Sequence, residues 1–354
     1  MDVTATPRQA GLVSVIIGTY NAAPYIVQTL DTVMKQTYQQ VEVIVVDDGS
    51  SDGTWDVLQA QVARHGDRLR TVRQANGGVA AARNAGLALT RGEFIALMDH
   101  DDLCMPERLA MQVAVLRQFP EVGLCSTEFS AFHAGGPLAR IYSHHYYGRI
   151  DPQDGGVARH FQRTVNWPTQ GLLPPGEPTE VKLHIGQVYD AVACGNFIHP
   201  PTVLFRASLL PEIGLFNLAT PLMCDWDWLV RAARITPFAY IDHPLLDYRR
   251  SDSQISSERY RKSARLDKVI IARDIVARDP ALWQRQRQAL RELLIEVHLD
   301  AAYGNADTAK LKALGLWWAA VSQYGAHGGE VWGILARILT PQAALQGLRR
   351  IKSA

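Results

Sequence analysis

Three acidic clusters interrupt the sequence where an apolar run has just ended or a helix is about to start. Asp99-His100-Asp101-Asp102 follows the run Phe94-Ile95-Ala96-Leu97-Met98. Carboxylates at alternate positions just past a strand can converge on one hard cation, and Mg²⁺ or Mn²⁺ held this way bridges to phosphate oxygens. Asp47-Asp48-Gly49-Ser50 follows Val41 to Val46; a carboxylate there can accept hydrogen bonds from the N–H groups of a nucleobase. Cys224-Asp225-Trp226-Asp227-Trp228 opens an apolar helical run. A carboxylate in that first turn can act as general base on a hydroxyl. Each cluster alone also has a plainer use, as turn, helix cap or macrodipole partner, and Asp227 suits that plainer use better than Asp225.

Asn76-Gly77-Gly78 followed by Arg83-Asn84 adds a turn running into a helix, with a fixed cation inside it. Helix starts favour anions. The spacing is neither a dinucleotide fingerprint nor a Walker loop.

The elements around these residues alternate. Val13 to Ile17, Val41 to Val46, Leu69 to Arg73 and Glu93 to Met98 read as strands, the first two as fully buried ones. Tyr25 to Gln36, Thr54 to His65 and Ala80 to Thr90 read as helices, the first from Ile26, Leu30 and Val33 at helical spacing. Such alternation predicts an α/β layer fold with a mostly parallel sheet and flanking helices. Ligands of such sheets gather at the carboxyl ends of the strands, where both strand-end clusters lie. From about Gly135 to Pro178 the chain is rich in Gly, Pro, His and Tyr with weak periodicity, which suits a substrate-binding excursion. Pattern returns at Val203-Leu204-Phe205 and in a helix around Trp226 to Ala233. Helical pattern continues from about Glu258 to Ala302.

Composition narrows the options. Lys plus Arg total 36 against 35 for Asp plus Glu, a net charge of +1, so no global basic field attracts nucleic acid. Cys104, Cys125, Cys194 and Cys224 form no C-x-x-C pair, excluding the usual zinc-knuckle and redox spacings. Met1 to Gly11 lacks the apolar core of a signal peptide, and no apolar stretch reaches the roughly 18–20 residues that span a bilayer. A cytoplasmic protein is expected.

Read together, the segments resemble the inverting family 2 glycosyltransferases of GT-A fold. Ser14 to Asn21 resembles the family's opening strand. Gln36-Thr37-Tyr38, Glu42 to Ser50, Asn76 to Asn84 and Gly92 to Asp102 resemble its next landmarks, in the family's order and spacing. The likeness covers roughly residues 12 to 256. It implies a GT-A catalytic domain over 1–256, with a nucleotide-binding half at about 12–130 and an acceptor-binding half at about 131–256. A C-terminal helical region follows at 257–354.

The resemblance also implies roles. Tyr20 and Asp48 hold the nucleobase, most often uracil, with Gly18 and Thr19 shaping the pocket. Asn76 belongs to the donor-binding turn, and Arg83 lies near the base or diphosphate. Asp99 approaches the ribose, Asp101 is the main ligand of Mg²⁺ or Mn²⁺ with Asp99 beside it, and Asp225 is the catalytic base. The sequence departs from the family twice. Cys224 stands where Glu is common before the base, and Tyr248-Arg249-Arg250-Ser251 replaces a Tyr-Arg-x-His ending. Arg249 or Arg250 is then expected to neutralise the donor phosphates.

The expected function is transfer of a single sugar from a nucleotide diphosphate sugar, UDP-linked by preference, to a glycan or lipid-linked acceptor of cell-surface polysaccharide or glycolipid synthesis. Single transfer is favoured because the polymer synthases' Gln-x-x-Arg-Trp pattern is absent. A nucleotidyltransferase and a catalytically silent sugar-nucleotide scaffold are the alternatives; the first lacks its Gly-rich basic loop after strand one. Near the end, Trp317, Trp318, Trp332, Ile334, Leu335 and Leu339 combine with Arg337, Arg349, Arg350 and Lys352. That mixture suits peripheral contact with the inner face of a membrane, or packing as a helical cap or in a homo-oligomer.

Overall fold

The computed structural model describes residues 8–148, 150–251 and 261–340, and the chain divides into two compact units, Met1–Gln254 and Ile255–Ala354.

In the first unit, four strands form the parallel half of one sheet: β1 (Gln9–Thr19), β2 (Val41–Asp47), β3 (Leu69–Arg73) and β4 (Gly92–Asp99). β2 is a β-branched run because both of its faces are covered; every residue of it is buried. The remaining strands are β5 (Leu103–Cys104), β6 (Leu124–His133), β7 (Gly136–Ala139), β8 (Arg163–Pro168), β9 (Glu180–Gly186), β10 (Leu204–Arg206) and β11 (Phe238–Arg249). The sheet order is β3-β2-β1-β4-β10-β6-β11-β9-β8, with β5 on β11 and β7 on β6. β10 lies antiparallel between β4 and β6, while β11 is parallel to β6. The sheet is therefore parallel in its first half and mixed beyond it.

Strand order reverses at β1, which has β2 on one side and β4 on the other. A crevice opens at the carboxyl ends of the strands at such a switch point. Register brings the acidic clusters to it: Thr19 is opposite Asp47, and Gly18 is opposite Asp99.

The helices of this unit are α1 (Ile26–Met34), α2 (Thr54–His65), α3 (Val79–Ala88), α4 (Arg108–Gln118), α5 (Ser143–Tyr146), α6 (Tyr189–Cys194), α7 (Leu210–Ile213) and α8 (Cys224–Ile235). α1 buries Ile26, Leu30 and Val33 on one face. α3 lies close on β1 because both are small at the contact: a Cβ on Gly18 would stand 3.2 Å from that of Ala82. The segment from 135 to 178 is more ordered than its composition suggests, holding β7, α5 and β8. Its pattern is weak because β8 is exposed at most positions.

The second unit is helical: α9 (Arg261–Arg278), α10 (Pro280–Arg285), α11 (Arg287–Asn305), α12 (Lys310–Ser322) and α13 (Gly329–Leu339). Asp279 caps α10, accepting from the Leu282 N–H at 2.9 Å, with Pro280 at the first helical position. Leu299, Ala302, Ala313, Trp317, Val331 and Ile338 contribute to its own core. Residues 258–260, where the helical pattern was expected to begin, and Arg349, Arg350 and Lys352 lie outside the described residues.

Candidate functional site

At the end of β2, Asp48 is 3% exposed. Its carboxylate closes the Asn76-Gly77-Gly78 turn: Oδ1 accepts from Gln74 Nε2 at 2.7 Å and from the Gly77 N–H at 2.9 Å, and Oδ2 accepts from the Gly78 N–H at 2.7 Å. Gly49 makes the approach possible. Its φ is +76°, and a Cβ there would stand 2.9 Å from the Asn76 nitrogen. The turn delivers the chain into α3, whose first turns carry Arg83. Thr19 is buried, and its carbonyl accepts from the Asp48 N–H at 2.8 Å. Tyr20, one residue beyond β1, is 46% exposed, and Asn76 is also exposed.

Arg83 is the hinge of the arrangement. It is 6% exposed, and its Nη2 meets Asp99 Oδ1 at 3.1 Å. Its Nη1 faces Cys224 Sγ at 4.0 Å, and the guanidinium stands over the Phe216 ring at 5.4 Å. Burial alone would lower its pKa, but the fields of Asp99, Cys224 and Asp225 raise it instead. Asn84 beside it clamps the segment before α8: its Nδ2 donates to the Phe216 carbonyl at 2.9 Å, and its Oδ1 accepts from the Phe216 N–H at 2.8 Å. The start of α8 is thus held against α3.

Asp225 sits half-buried in the first turn of α8. Its Oδ1 accepts from the Trp226 N–H at 3.0 Å. Burial pushes its pKa up, with Asp99 adding repulsion and Arg83 partly offsetting both. A raised carboxylate is a stronger base once ionised. Asp227 takes the structural place, pairing with Arg231 at 2.8 Å one helical turn on. Cys224 stays a thiol, pushed up to about 12 chiefly by burial.

The loop after β4 carries Asp99, Asp101 and Asp102. The Asp99 side chain is 38% exposed, while Asp101 is 7% and Asp102 0% exposed. His100 lies beside β1, its Nδ1 3.3 Å from the Gly18 carbonyl. Arg249, at the end of β11, fixes the loop from behind. Its N–H donates to Asp102 Oδ1 at 3.0 Å, its Nε to the Asp101 carbonyl at 2.7 Å, and its Nη2 to Gln28 Oε1 at 2.7 Å. The guanidinium expected to face phosphate is therefore also a brace for the acidic loop. Arg250 is exposed and donates to the Tyr142 hydroxyl at 3.1 Å.

The donor chemistry fits a hard divalent cation. Asp99 and Asp101 are oxygen donors on one loop, and Asp102 Oδ2 is buried without a hydrogen-bond partner. Among the described residues no group of three His, Cys, Asp or Glu side chains converges as a metal cage. Mg²⁺ and Mn²⁺ ordinarily complete such open sites with phosphate oxygens and water.

Sequence reasoning missed the aromatic wall facing these carboxylates. His199 is 5% exposed and stacks on Phe129 with ring centroids 4.2 Å apart. Its Nε2 lies 4.0 Å from Asp102 Oδ2, and burial drives its pKa down to about 3. Tyr146 and Tyr248 stand edge-on to it at 5.2 and 5.1 Å. Tyr146 keeps 37% of its surface open, yet burial still pushes its phenol well above the ordinary value, as befits a group lining a concavity. Its phenol feels Tyr248, Asp225, Asp99 and Asp102. A cluster of Tyr and His in the irregular segment was the only available signal.

The structure therefore brings Asp99, Arg83 and Asp225 together, with Asp101 on the same loop as Asp99 and Asp48 on the other side of β1. Comparison with known proteins bears on the fold and the family. An uncharacterized glycosyltransferase of Rickettsia felis is 28% identical over 248 residues, 70% of this chain and 35% of the relative. Another, from Rickettsia bellii, is 37% identical over 248 residues, 70% of this chain and 31% of that one. The chain spans about a third of the length of these curated relatives. Among solved structures, S. aureus TarS 1-349 superposes with a TM-score of 0.57 at 20% identity, over 88% of this chain and 80% of that one. The mannosyltransferase PcManGT from Pyrobaculum calidifontis, in complex with GDP-Man and Mn2+, gives 0.53 at 21% identity, over 95% of this chain and 80% of that one. These likenesses establish the GT-A fold. Residues 14–168 match the family described as Glycosyl transferase family 2.

Proposed function

We propose that the protein is an inverting glycosyltransferase that moves one sugar from a nucleoside diphosphate donor to an acceptor hydroxyl. One observation carries the reading: Arg83 joins Asp99 at 3.1 Å while lying in the field of Asp225, so the nucleotide-side and acceptor-side elements meet at one cation. In this reading residues 1–256 are the catalytic domain, with about 12–130 holding donor and about 131–256 holding acceptor.

Asp48, Tyr20, Thr19, Gly18 and Asn76 border the nucleobase. Arg83 lies beside the donor, and Arg249 and Arg250 neutralise its phosphates. Asp101 and Asp99 would hold Mg²⁺ or Mn²⁺, which when bound neutralises charge on the departing diphosphate. Asp225 takes the acceptor's hydroxyl proton. The acceptor oxygen forms its bond to the anomeric carbon as the carbon–oxygen bond to the diphosphate breaks, and the nucleoside diphosphate leaves with that electron pair. One displacement inverts the centre.

TarS has been crystallised with UDP and with UDP-GlcNAc, and this favours a UDP-linked donor here. A curated relative over part of the chain is the chondroitin synthase of Escherichia coli, 30% identical over 160 residues, 45% of this chain and 23% of the synthase. It supports a role in glycan assembly. A thermal-shift panel of UDP, GDP and their sugars with and without Mn²⁺, followed by nucleotide-release assays, tests the reading. Pyrophosphate release from a nucleoside triphosphate would transfer the assignment to a nucleotidyltransferase.

The second unit offers peripheral contact with a lipid surface at the inner face of a membrane. Leu311, Leu314 and Trp318, at 88%, 37% and 61% exposure, share one face of α12 by their spacing. Trp332 and Leu339 are also exposed, on α13. Lys310 and Lys312 flank the stripe on α12, and aromatic, aliphatic and basic side chains together suit a headgroup interface. Among the described residues no helix is long and apolar enough to cross a membrane.

A further inference from the structure

Three tyrosines of the segment that runs through α5 have different duties. Tyr142 accepts from Arg250 Nη1 at 3.1 Å. Tyr147 donates its hydroxyl to the Ile198 carbonyl at 2.9 Å. Both hydroxyls hold the segment in place. Among the described residues, no protein group hydrogen-bonds the hydroxyl of Tyr146, which lies between them in sequence.

Tyr146 is nonetheless firmly aimed. α5 is pinned at its first residue by Glu128, a carboxylate only 2% exposed on β6. Glu128 Oε1 accepts from the N–H groups of Phe129 at 2.7 Å and Ser143 at 3.2 Å. Its Oε2 accepts from Ser143 Oγ at 2.5 Å and the Tyr240 hydroxyl at 2.9 Å. The Tyr146 ring is then wedged edge-on against Tyr248 at 5.4 Å and His199 at 5.2 Å, with Phe129 at 6.0 Å. The ring is constrained on its inner side and open on the other. A buried anchor of four hydrogen bonds, spent on orienting one half-open phenol, is the arrangement expected of a binding group.

We propose that Tyr146 is an acceptor-binding residue and that the acceptor it receives is a saccharide: its hydroxyl bonds a sugar hydroxyl beside Asp225, and its open ring covers an apolar face of the pyranose. The inference rests on the transferase reading and names the acceptor class for the same site. A sugar presents both features the residue can meet, a ring of hydroxyls and a face of C–H groups. A bare lipid phosphate or an amine presents neither together. The placement also explains why this specificity element lies in a segment without periodic pattern.

The test uses the full chain with UDP and Mn²⁺ on an array of immobilised oligosaccharides, with titration calorimetry on the strongest saccharide. UDP affinity is measured in parallel. Tyr146→Phe is expected to weaken saccharide binding about 3–10-fold, the range of one neutral hydrogen bond, and Tyr146→Ala more than tenfold. UDP affinity should stay within twofold in both, which shows that they fold. Tyr142→Phe, whose parent hydroxyl already serves Arg250, should leave saccharide binding within twofold. Equal saccharide affinity in Tyr146→Ala overturns the proposal, as does an equal loss in Tyr142→Phe and Tyr146→Phe. So does UDP binding with no saccharide captured. If the wild-type chain binds no nucleotide, the transferase reading fails first, and that outcome is separate from the others.

Discussion

Asn84 and Phe216 exchange two hydrogen bonds, 2.9 and 2.8 Å long, across 132 positions of sequence. One side-chain amide satisfies both backbone groups of a residue that is 2% exposed. The segment leading into α8 therefore moves with α3, and Asp225 keeps its place near Arg83.

Asn84→Ala removes both bonds and leaves a buried N–H and C=O without partners, a cost of about 1–3 kcal/mol. Urea unfolding should show that loss of stability. Nucleotide release in the presence of acceptor should fall tenfold or more, because small misplacements of a base are expensive. A variant that is destabilised but turns over at the wild-type rate would show that the clamp serves folding alone.

Asp225→Asn separates chemistry from binding. Loss of a general base lowers turnover by about 10²–10⁴-fold, while UDP affinity should hold. In the wild type, Asp225 has a pKa raised above its ordinary value by burial, so the acid limb of the rate profile should sit above about 3.9, the value of a free aspartate. The stability consequence has the opposite sign. The folded state binds this proton more tightly than the unfolded chain, so the native state loses stability as pH rises from the unfolded pKa through the raised one. At neutral pH Asp225→Asn should accordingly melt at a higher temperature than wild type. Lower melting together with wild-type turnover would remove Asp225 from the role of base.

Asp48→Asn tests the turn. Asparagine keeps one acceptor oxygen where the carboxylate uses two, and turns an NH₂ toward a backbone N–H at 2.7 or 2.9 Å. Amide hydrogen exchange at Gly77 or Gly78 should quicken, and UDP affinity should fall at least tenfold by calorimetry. Unchanged UDP affinity would mean that Asp48 only closes the turn.

What could be read from the chain alone follows from where periodicity survives. β2 is buried at every position and α2 begins and ends where its pattern does, at Thr54 and His65. The clusters around Asp48, Asp99 and Asp225 were visible because strand and helix ends are marked by composition. β6, β9 and β11 were missed: β11 joins β6 and β9 from far along the chain, contains Pro244 and shifts register twice against β6. His199 and Tyr146 escaped for a different reason. Their importance lies in a stack built by Phe129 and Tyr248 from two other strands, which no local spacing reports. Arg249 could be found, but its bonds to Asp101 and Asp102 could not.

The α12 stripe makes the last prediction. Trp317 is buried, and its Nε1 donates to the Val331 carbonyl at 2.8 Å; it belongs to the unit's core and its loss should unfold that unit. Trp318 neighbours it in sequence but is 61% exposed, and Trp332 on α13 is 60% exposed. Replacing Trp318 and Trp332 together with Gln removes apolar surface without touching that core bond, so thermal stability should change little. If the stripe meets lipid, the double variant should float less than wild type with vesicles containing anionic lipid, and added salt should weaken the wild type's binding through screening of its lysines. Equal flotation of the two proteins would reject the lipid surface. A change in sedimentation without a change in flotation would assign the stripe to a second copy of the chain.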